Sequence, residues 1–207
     1  MSRESPDGPA ALERLREGNA RFVANVRRTH SLTNAARRAE LAVAQQPFAI
    51  VLGCSDSRVP VEIVFDQGLG DLFVIRVAGN IVAPSLIGSV EFAASQFGTR
   101  LVVVLGHSQC GAVMATLDQL RRPVASQSPN LKDIVDRIRP SVEKLLAQPA
   151  GDAAELERSA ERANIRASVR QLRHGSTIIE GLVENGGLMV VGAWYSVETG
   201  VVEFLEA

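Results

Sequence analysis

The pattern that decides the fold occurs twice, as AIVLGCS at residues 49–55 and as VVVLGHS at residues 102–108. Each copy is a short apolar run rich in β-branched residues and ended by glycine, which is typical of a strand buried on both faces of a parallel sheet. Each run is followed at once by a side chain that can bind a soft metal, Cys54 or His107. Because open α/β sheets bind ligands at the carboxyl ends of their strands, we expect these two side chains to lie together in one crevice.

A third candidate ligand, Cys110, follows His107 by three residues. Two thiolates and one imidazole suit zinc, and three protein ligands leave one tetrahedral position open, as in catalytic sites. The His-x-x-Cys spacing alone is weak support, because a buried cysteine commonly packs as a small hydrophobe. The two matching strand ends favour the metal site, with one Zn²⁺ per chain. The other histidines, His30 and His174, lie in arginine-containing helical segments and are predicted to be surface residues.

The composition is that of one soluble globular domain of 207 residues, with 46% hydrophobic and 22% charged residues. Residues 1–9 are polar and predict a flexible or partner-bound arm, followed by a single catalytic domain over 10–207. A formal net charge of -1 argues against nucleic acid as a partner. The chain shows no run of apolar residues long enough for a membrane span and no signal-peptide pattern, so we expect a cytoplasmic protein.

The alternation of apolar runs and helical periodicity predicts an α/β fold with a mostly parallel central sheet flanked by helices. The turn signal Glu198-Thr199-Gly200 between two apolar runs predicts an antiparallel hairpin at the edge of the sheet. An amphipathic helix near the amino terminus needs a surface to cover, on its own sheet or on a second subunit. The predicted helices span residues 10–26, 85–97, 111–122 and 176–184, with one more within 27–47 and one that starts near 60–62. Residues 130–173 predict helices with a break near 148–151.

Asp56 and Arg58 closely follow Cys54, and two interpretations of them stay open. In the first, the aspartate caps the next helix and the arginine is solvated. In the second, the carboxylate accepts a hydrogen bond from a hydroxide on the metal, or binds the metal itself and closes the site. An arginine two residues further on can then hold the carboxylate off the metal by a bidentate ion pair.

The paired motifs CSDSR at 54–58 and GHSQCG at 106–111 resemble those of the β-class carbonic anhydrases. The likeness extends from residues 12–22 to residues 192–204, which is most of the chain. It implies reversible hydration of carbon dioxide to bicarbonate and a proton by zinc-bound hydroxide. It also implies that Cys54, His107 and Cys110 are the zinc ligands, with Asp56 and Arg58 as the catalytic pair.

The resemblance also implies substrate-binding positions. Gln45 matches a glutamine that donates to a substrate oxygen, and Phe73 and Ala78 match apolar wall positions. Phe92 matches an aromatic residue, commonly tyrosine, that the family supplies from the neighbouring subunit. Gly111, which ends the second motif, is a further candidate. For Phe73, Ala78 and Phe92, plain core packing is the alternative. The likeness and the amphipathic first helix together predict a homodimer or homotetramer.

The sequence also allows other functions to be compared with this one. Some relatives of this family hydrolyse carbon disulfide or carbonyl sulfide, and only the substrate would distinguish them. A cysteine phosphatase would need arginine six residues after its nucleophile, where this chain has Pro60. A redox or zinc-sensing module would use Cys54 and Cys110 as a reversible pair. A binding domain without catalysis is disfavoured, because it would give Asp56 and Arg58 no special reason to flank the metal.

Overall fold

The computed structural model describes residues 5–26, 34–123, 128–147 and 152–205. The strands are β1 Ala49–Gly53, β2 Leu72–Arg76, β3 Leu101–His107, β4 Met189–Tyr195 and β5 Val202–Leu205. The helices are α1 Gly8–Val23, α2 Ala35–Leu41, α3 Val61–Val64, α4 Pro84–Gln96, α5 Gly111–Arg121, α6 Pro129–Val142, α7 Ala153–His174 and α8 Thr177–Asn185. Short 3₁₀ turns occupy Ala78–Asn80 and Glu143–Ala147.

The strands form one sheet in the order β2-β1-β3-β4-β5. β1 is parallel to both β2 and β3, and β4 is parallel to β3. β5 runs antiparallel to β4 and forms one edge. This arrangement confirms the predicted α/β fold, with its mostly parallel sheet and its antiparallel edge hairpin.

β1 and β3 are direct neighbours, with Ile50 opposite Val102 and Gly53 opposite Leu105. Every residue of both strands is buried, as a strand covered on both faces requires. Since the two strands are parallel, their carboxyl ends meet at the same edge of the sheet. The residue after Gly53 therefore lies beside the end of β3, where the sequence predicts that two ligands converge.

Helices cover both faces of the sheet, because side chains of a strand alternate between the faces. Leu52 and Val104 belong to an apolar layer that α4, α7 and α8 cover. Val51 and Val103 belong to the opposite layer, which α1 and α3 cover. The amphipathic first helix thus packs its apolar face against the sheet of its own chain.

α1 begins at Gly8, with Asp7 as its N-cap, two residues before the start predicted from the sequence. Gly8 packs so closely on the sheet that a Cβ there would lie 2.8 Å from the Met189 side chain, so the end of the predicted arm belongs to the packed fold. Asn19 donates to the carbonyls of Val64 and Gly200 and accepts from the N–H of Val202. These three bonds fasten α1 to α3 and to the β4–β5 hairpin.

Some predicted elements differ from the structure in length. The helix predicted within residues 27–47 is the short α2, and residues 27–33, with His30, lie outside the described residues. The helix predicted to start near residue 60 is the single turn α3. The break near 148–151 also lies outside the described residues. Among the helices that the structure describes, none is both long and apolar enough to cross a membrane.

Candidate metal centre

The structure brings the three predicted ligands together. One ligand atom from each of Cys54, His107 and Cys110 lies within 4.8 Å of the others, and all three residues are buried. Cys54 directly follows β1, His107 is the last residue of β3, and Cys110 directly precedes α5. Between the last two, Gln109 adopts a left-handed backbone conformation (φ 56°), which turns the chain back so that Cys110 faces His107.

The hydrogen bonding of His107 leaves one ring nitrogen available to a metal. Its Nδ1 lies 2.8 Å from the carbonyl oxygen of Ser108, which can only accept, so Nδ1 carries the proton and Nε2 has a free lone pair. Nε2 is buried and has no hydrogen-bond partner among the described residues. A buried acceptor without a partner is costly, and a cation held between this nitrogen and the two sulfurs would remove that cost.

The two thiols influence each other strongly. The contact with Cys110 is the largest cause that lowers the pKa of Cys54 to about 4, and the N–H of Gly79, 3.3 Å from Cys54 Sγ, acts in the same direction. The same contact, together with burial, raises the pKa of Cys110. A dication held between the two sulfurs could displace their protons, because two thiolates offset its charge. The donor set fits zinc.

Asp56 and Arg58 form a bidentate ion pair at the solvent side of the centre. Arg58 Nε donates to Asp56 Oδ1 at 3.0 Å, and Nη2 donates to Oδ2 at 2.8 Å. These hydrogen bonds hold the pKa of Asp56 well below its usual range. Asp56 Oδ2 lies 3.9 Å from His107 Nε2, so the carboxylate reaches the edge of the centre.

Arg58 also donates through Nη2 to the carbonyl of Gln109, at 3.1 Å. Arg76, at the end of β2, holds the loop that carries the aspartate by donating to the carbonyls of Cys54 (3.0 Å) and Asp56 (2.7 Å). Arg58 therefore connects the loops after β1 and β3, and Arg76 connects the end of β2 to the loop between Cys54 and Arg58.

The other predicted site residues lie in varied surroundings. Gln45 is exposed in the segment before β1, and Ala78 is half-buried next to Gly79. Phe73 and Phe92 pack against each other and against Phe97, with ring centroids 5.6 to 6.2 Å apart. Gly111 is the exposed first residue of α5. Their roles in substrate binding stay predictions.

Two residues of α7 contact the centre from its buried side, and sequence reasoning missed both. Glu161 accepts a hydrogen bond from the Cys110 N–H at 3.4 Å, and burial raises the pKa of this carboxyl. Asn164 donates to the carbonyl of Gly79 at 2.8 Å. The available signal was a pair of polar residues at helical spacing among apolar ones, which the sequence alone did not connect with the cysteines.

Comparisons with known proteins are consistent with this geometry. A family model described as carbonic anhydrase matches residues 49–202. The chain is 44% identical over 194 residues to a carbonic anhydrase of Mycolicibacterium smegmatis, covering 94% of this chain and 91% of that protein. It is 40% identical over 191 residues to carbonic anhydrase 2 of Mycobacterium tuberculosis, covering 92% and 89%. The solved Coccomyxa β-carbonic anhydrase in complex with acetazolamide matches with a TM-score of 0.72 at 25% identity, covering 95% of this chain and 85% of that one.

Proposed function

Since this chain belongs to the β class of the carbonic anhydrase family and catalyses the reversible hydration of carbon dioxide, we propose that Cys54, His107 and Cys110 hold one zinc ion per chain. The observation that carries this proposal is the convergence of three ligand atoms within 4.8 Å, one of them a buried nitrogen without a described partner. When bound, zinc supplies Lewis acidity, which turns water into a nucleophile for carbon dioxide.

We assign Asp56 the role of accepting a hydrogen bond from the attacking water. A carboxylate can only accept while it is ionised, and Arg58 keeps Asp56 ionised by holding its pKa down. Arg58 also occupies both carboxylate oxygens, at 3.0 and 2.8 Å. These hydrogen bonds restrain Asp56 from binding the metal itself, which would close the site. We therefore adopt the second interpretation of the pair, in which Arg58 holds the carboxylate off the metal.

The substrate pocket is assigned to Gln45, Phe73, Ala78, Phe92 and Gly111. Ala78 precedes Gly79, whose N–H contacts Cys54 Sγ, and a Cβ at Gly111 would meet no neighbouring atom within 4 Å. The first observation supports an apolar wall beside Cys54, and the second supports open space beside Cys110. Gln45 is exposed and its side-chain amide is suited to donate to a substrate oxygen.

We assign the enzyme to a homodimer or homotetramer. Phe92 is 52% exposed although it belongs to a cluster of three phenylalanines, and Val23 and Val201 are also exposed near α1. Apolar surface of this kind commonly marks a protein interface. A cytoplasmic location is consistent with the two cysteines, which are not joined in a disulfide.

The test is stopped-flow hydration of carbon dioxide by protein of measured zinc content. The zinc-loaded protein should hydrate carbon dioxide, lose that activity when a chelator removes the metal, and regain it when zinc returns. Undiminished activity after complete removal of the metal would contradict the metal assignment. Parallel assays with carbon disulfide and carbonyl sulfide distinguish the substrate alternatives.

A further inference from the structure

The buried side of the centre is formed by the polar stripe of α7, which consists of Glu161, Asn164 and Ser168. These side chains are 3%, 2% and 4% exposed, and spacings of three and four residues place them on one face of the helix. The neighbouring buried positions on this helix, Ile165 and Leu172, are apolar. A buried polar group destabilises a fold unless it is hydrogen-bonded, so the partners of the stripe show what it does.

Asn164 acts on Cys54 through one intervening residue. Its Nδ2 donates to the Gly79 carbonyl at 2.8 Å, and the N–H of the same residue donates to Cys54 Sγ at 3.3 Å. Gly79 has a left-handed backbone (φ 72°), and a Cβ there would approach the Ile138 side chain to 2.8 Å. Only glycine therefore fits, and the side chain of Asn164 fixes the orientation in which it presents its N–H to the sulfur.

Glu161 acts on Cys110 through the main chain. Its two carboxylate oxygens accept from the N–H of Cys110, at 3.4 Å, and from Trp194 Nε1, at 2.9 Å. Trp194 lies on β4 opposite Gly106, the residue before His107. Glu161 thus connects the backbone of one candidate ligand to the strand next to another.

Ser168 provides an internal reference. Its hydroxyl donates to the carbonyl of Asn80 at 3.0 Å, one residue beyond Gly79 and without a bond to either cysteine. It shares the helix, the burial and the hydrogen-bonded turn with Asn164, but it bonds to Asn80 and not to Gly79, the residue whose N–H contacts the sulfur.

We propose that Glu161 and Asn164 are positioning residues that set the zinc affinity of the centre. Glu161 holds the backbone of Cys110, and Asn164 holds Gly79, whose N–H donates to Cys54 Sγ. The proposal rests on the assignment of Cys54, His107 and Cys110 as ligands. Neither residue needs to touch zinc or substrate for this role. Partners of this kind commonly contribute about 10- to 100-fold to metal affinity.

The test compares Asn164→Ala with Asn19→Ala. Asn19 is also a buried asparagine with two donated hydrogen bonds, but these hold α1 and go to Val64 and Gly200, not to Gly79 or to the backbone of either cysteine. Zinc dissociation constants come from competition with a chelator, and thermal unfolding of each protein is followed in parallel. We expect Asn164→Ala to weaken zinc binding by about 10- to 100-fold. Asn19→Ala should lower the melting temperature and leave the zinc dissociation constant unchanged.

A second readout is the cobalt(II)-substituted protein, whose sulfur-to-cobalt charge-transfer band reports on the thiolates. Asn164→Ala should shift this band, because it removes the hydrogen bond that restrains Gly79, the residue whose N–H contacts Cys54. Ser168→Ala should leave the band and the zinc affinity close to wild type. Glutamine has nearly the same shape as glutamate, so Glu161→Gln provides the test if Asn164→Ala does not fold. Its amide can accept only one of the two bonds, and we expect weaker zinc binding.

Wild-type zinc affinity and an unchanged cobalt band in both Asn164→Ala and Glu161→Gln would overturn the proposal and leave the stripe a purely structural role. Equal loss of zinc affinity in Asn164→Ala and Asn19→Ala would also overturn it, because general destabilisation would then account for the effect. If the wild-type protein itself shows no sulfur-to-cobalt band, the ligand assignment fails instead, so the two failures are distinguishable.

Discussion

The two sides of the metal centre are built in different ways. On the solvent side, the Asp56–Arg58 pair comes from the same loop as Cys54 and is partly exposed. On the buried side, the polar stripe of α7 comes from a distant part of the chain and bonds mainly to main-chain groups. A side chain next to solvent can meet substrate, whereas a buried one can only hold what lies in front of it. The comparison predicts that changes on the solvent side alter catalysis and that changes to Glu161 and Asn164 on the buried side alter metal binding.

The largest effect is expected where both sides meet, at the ligands. Cys54→Ser should abolish zinc binding and reduce carbon dioxide hydration to the uncatalysed rate, a loss of about 10⁶-fold or more on the scale of ordinary enzymes. Zinc content by elemental analysis and stopped-flow rates measure both effects. Thr116→Ser, a conservative change at a buried position on α5, serves as the control and should keep both. Full zinc content in Cys54→Ser would contradict the assignment of Cys54 as a ligand, on which the comparison of the two sides depends.

Asp56→Asn tests the solvent side. We expect kcat/KM to fall by about 10²- to 10⁴-fold while zinc content stays at one per chain, because the amide presents one acceptor oxygen and cannot replace an ionised carboxylate. Arg58→Lys should lose activity as well, since lysine cannot make the bidentate contact. Loss of zinc in Asp56→Asn, in place of loss of rate, would assign the aspartate to metal binding and contradict the division between the two sides.

Gly106→Ala tests the packing of the buried side. A Cβ at this position of β3 would lie 2.5 Å from the side chain of Ile165, a fully buried residue of α7. We expect a loss of about 1–3 kcal/mol in the free energy of unfolding from overpacking. Gly181→Ala in α8, where a Cβ meets nothing within 4 Å, should instead stabilise the protein by about 0.5–1 kcal/mol. Denaturant titration measures the free energy of unfolding of both variants. Equal values for the two would show that α7 can move away from the added Cβ of Gly106→Ala.

The smallest effect is expected at an ion pair on the exposed surface of α7. Arg162 donates to both carboxylate oxygens of Glu203, at 2.8 and 2.6 Å, and these hydrogen bonds lower the pKa of Glu203 below its ordinary 4.5. Glu203→Gln should therefore lower the free energy of unfolding at pH 7 by less than about 1 kcal/mol, because the pair is exposed.

The sign of its pH dependence follows from linkage. In the folded state Glu203 has a lowered pKa, so its stabilisation is present above pH 4.5 and is lost as the pH falls through the lower folded value. Unfolding curves of wild type and Glu203→Gln should thus converge in acid. A difference that grows on acidification would contradict the direction of the pKa shift.

The fold and the solvent side of the centre could be predicted from the sequence because their signals are local. Two buried strands, each ended by glycine and a ligand, fix the sheet edge at which Cys54 and His107 meet. Asp56 and Arg58 follow within the same loop, so their spacing brings them close to the three candidate ligands.

The buried side could not be predicted in this way. The amphipathic pattern of α7 shows that it packs on the sheet, but it does not show which loop Glu161 and Asn164 will face. Nor does any local pattern show that Arg76 holds the loop after Cys54, because that contact arises from the pairing of β1 with β2. Contacts of this kind depend on tertiary packing.

The most direct test is X-ray absorption at the zinc edge of the purified protein. The structure predicts two sulfur scatterers at about 2.3 Å and a nitrogen at about 2.0–2.1 Å, which are the distances of zinc to thiolate and imidazole. A zinc environment with one sulfur or none would contradict the claim that Cys54, His107 and Cys110 together hold the metal.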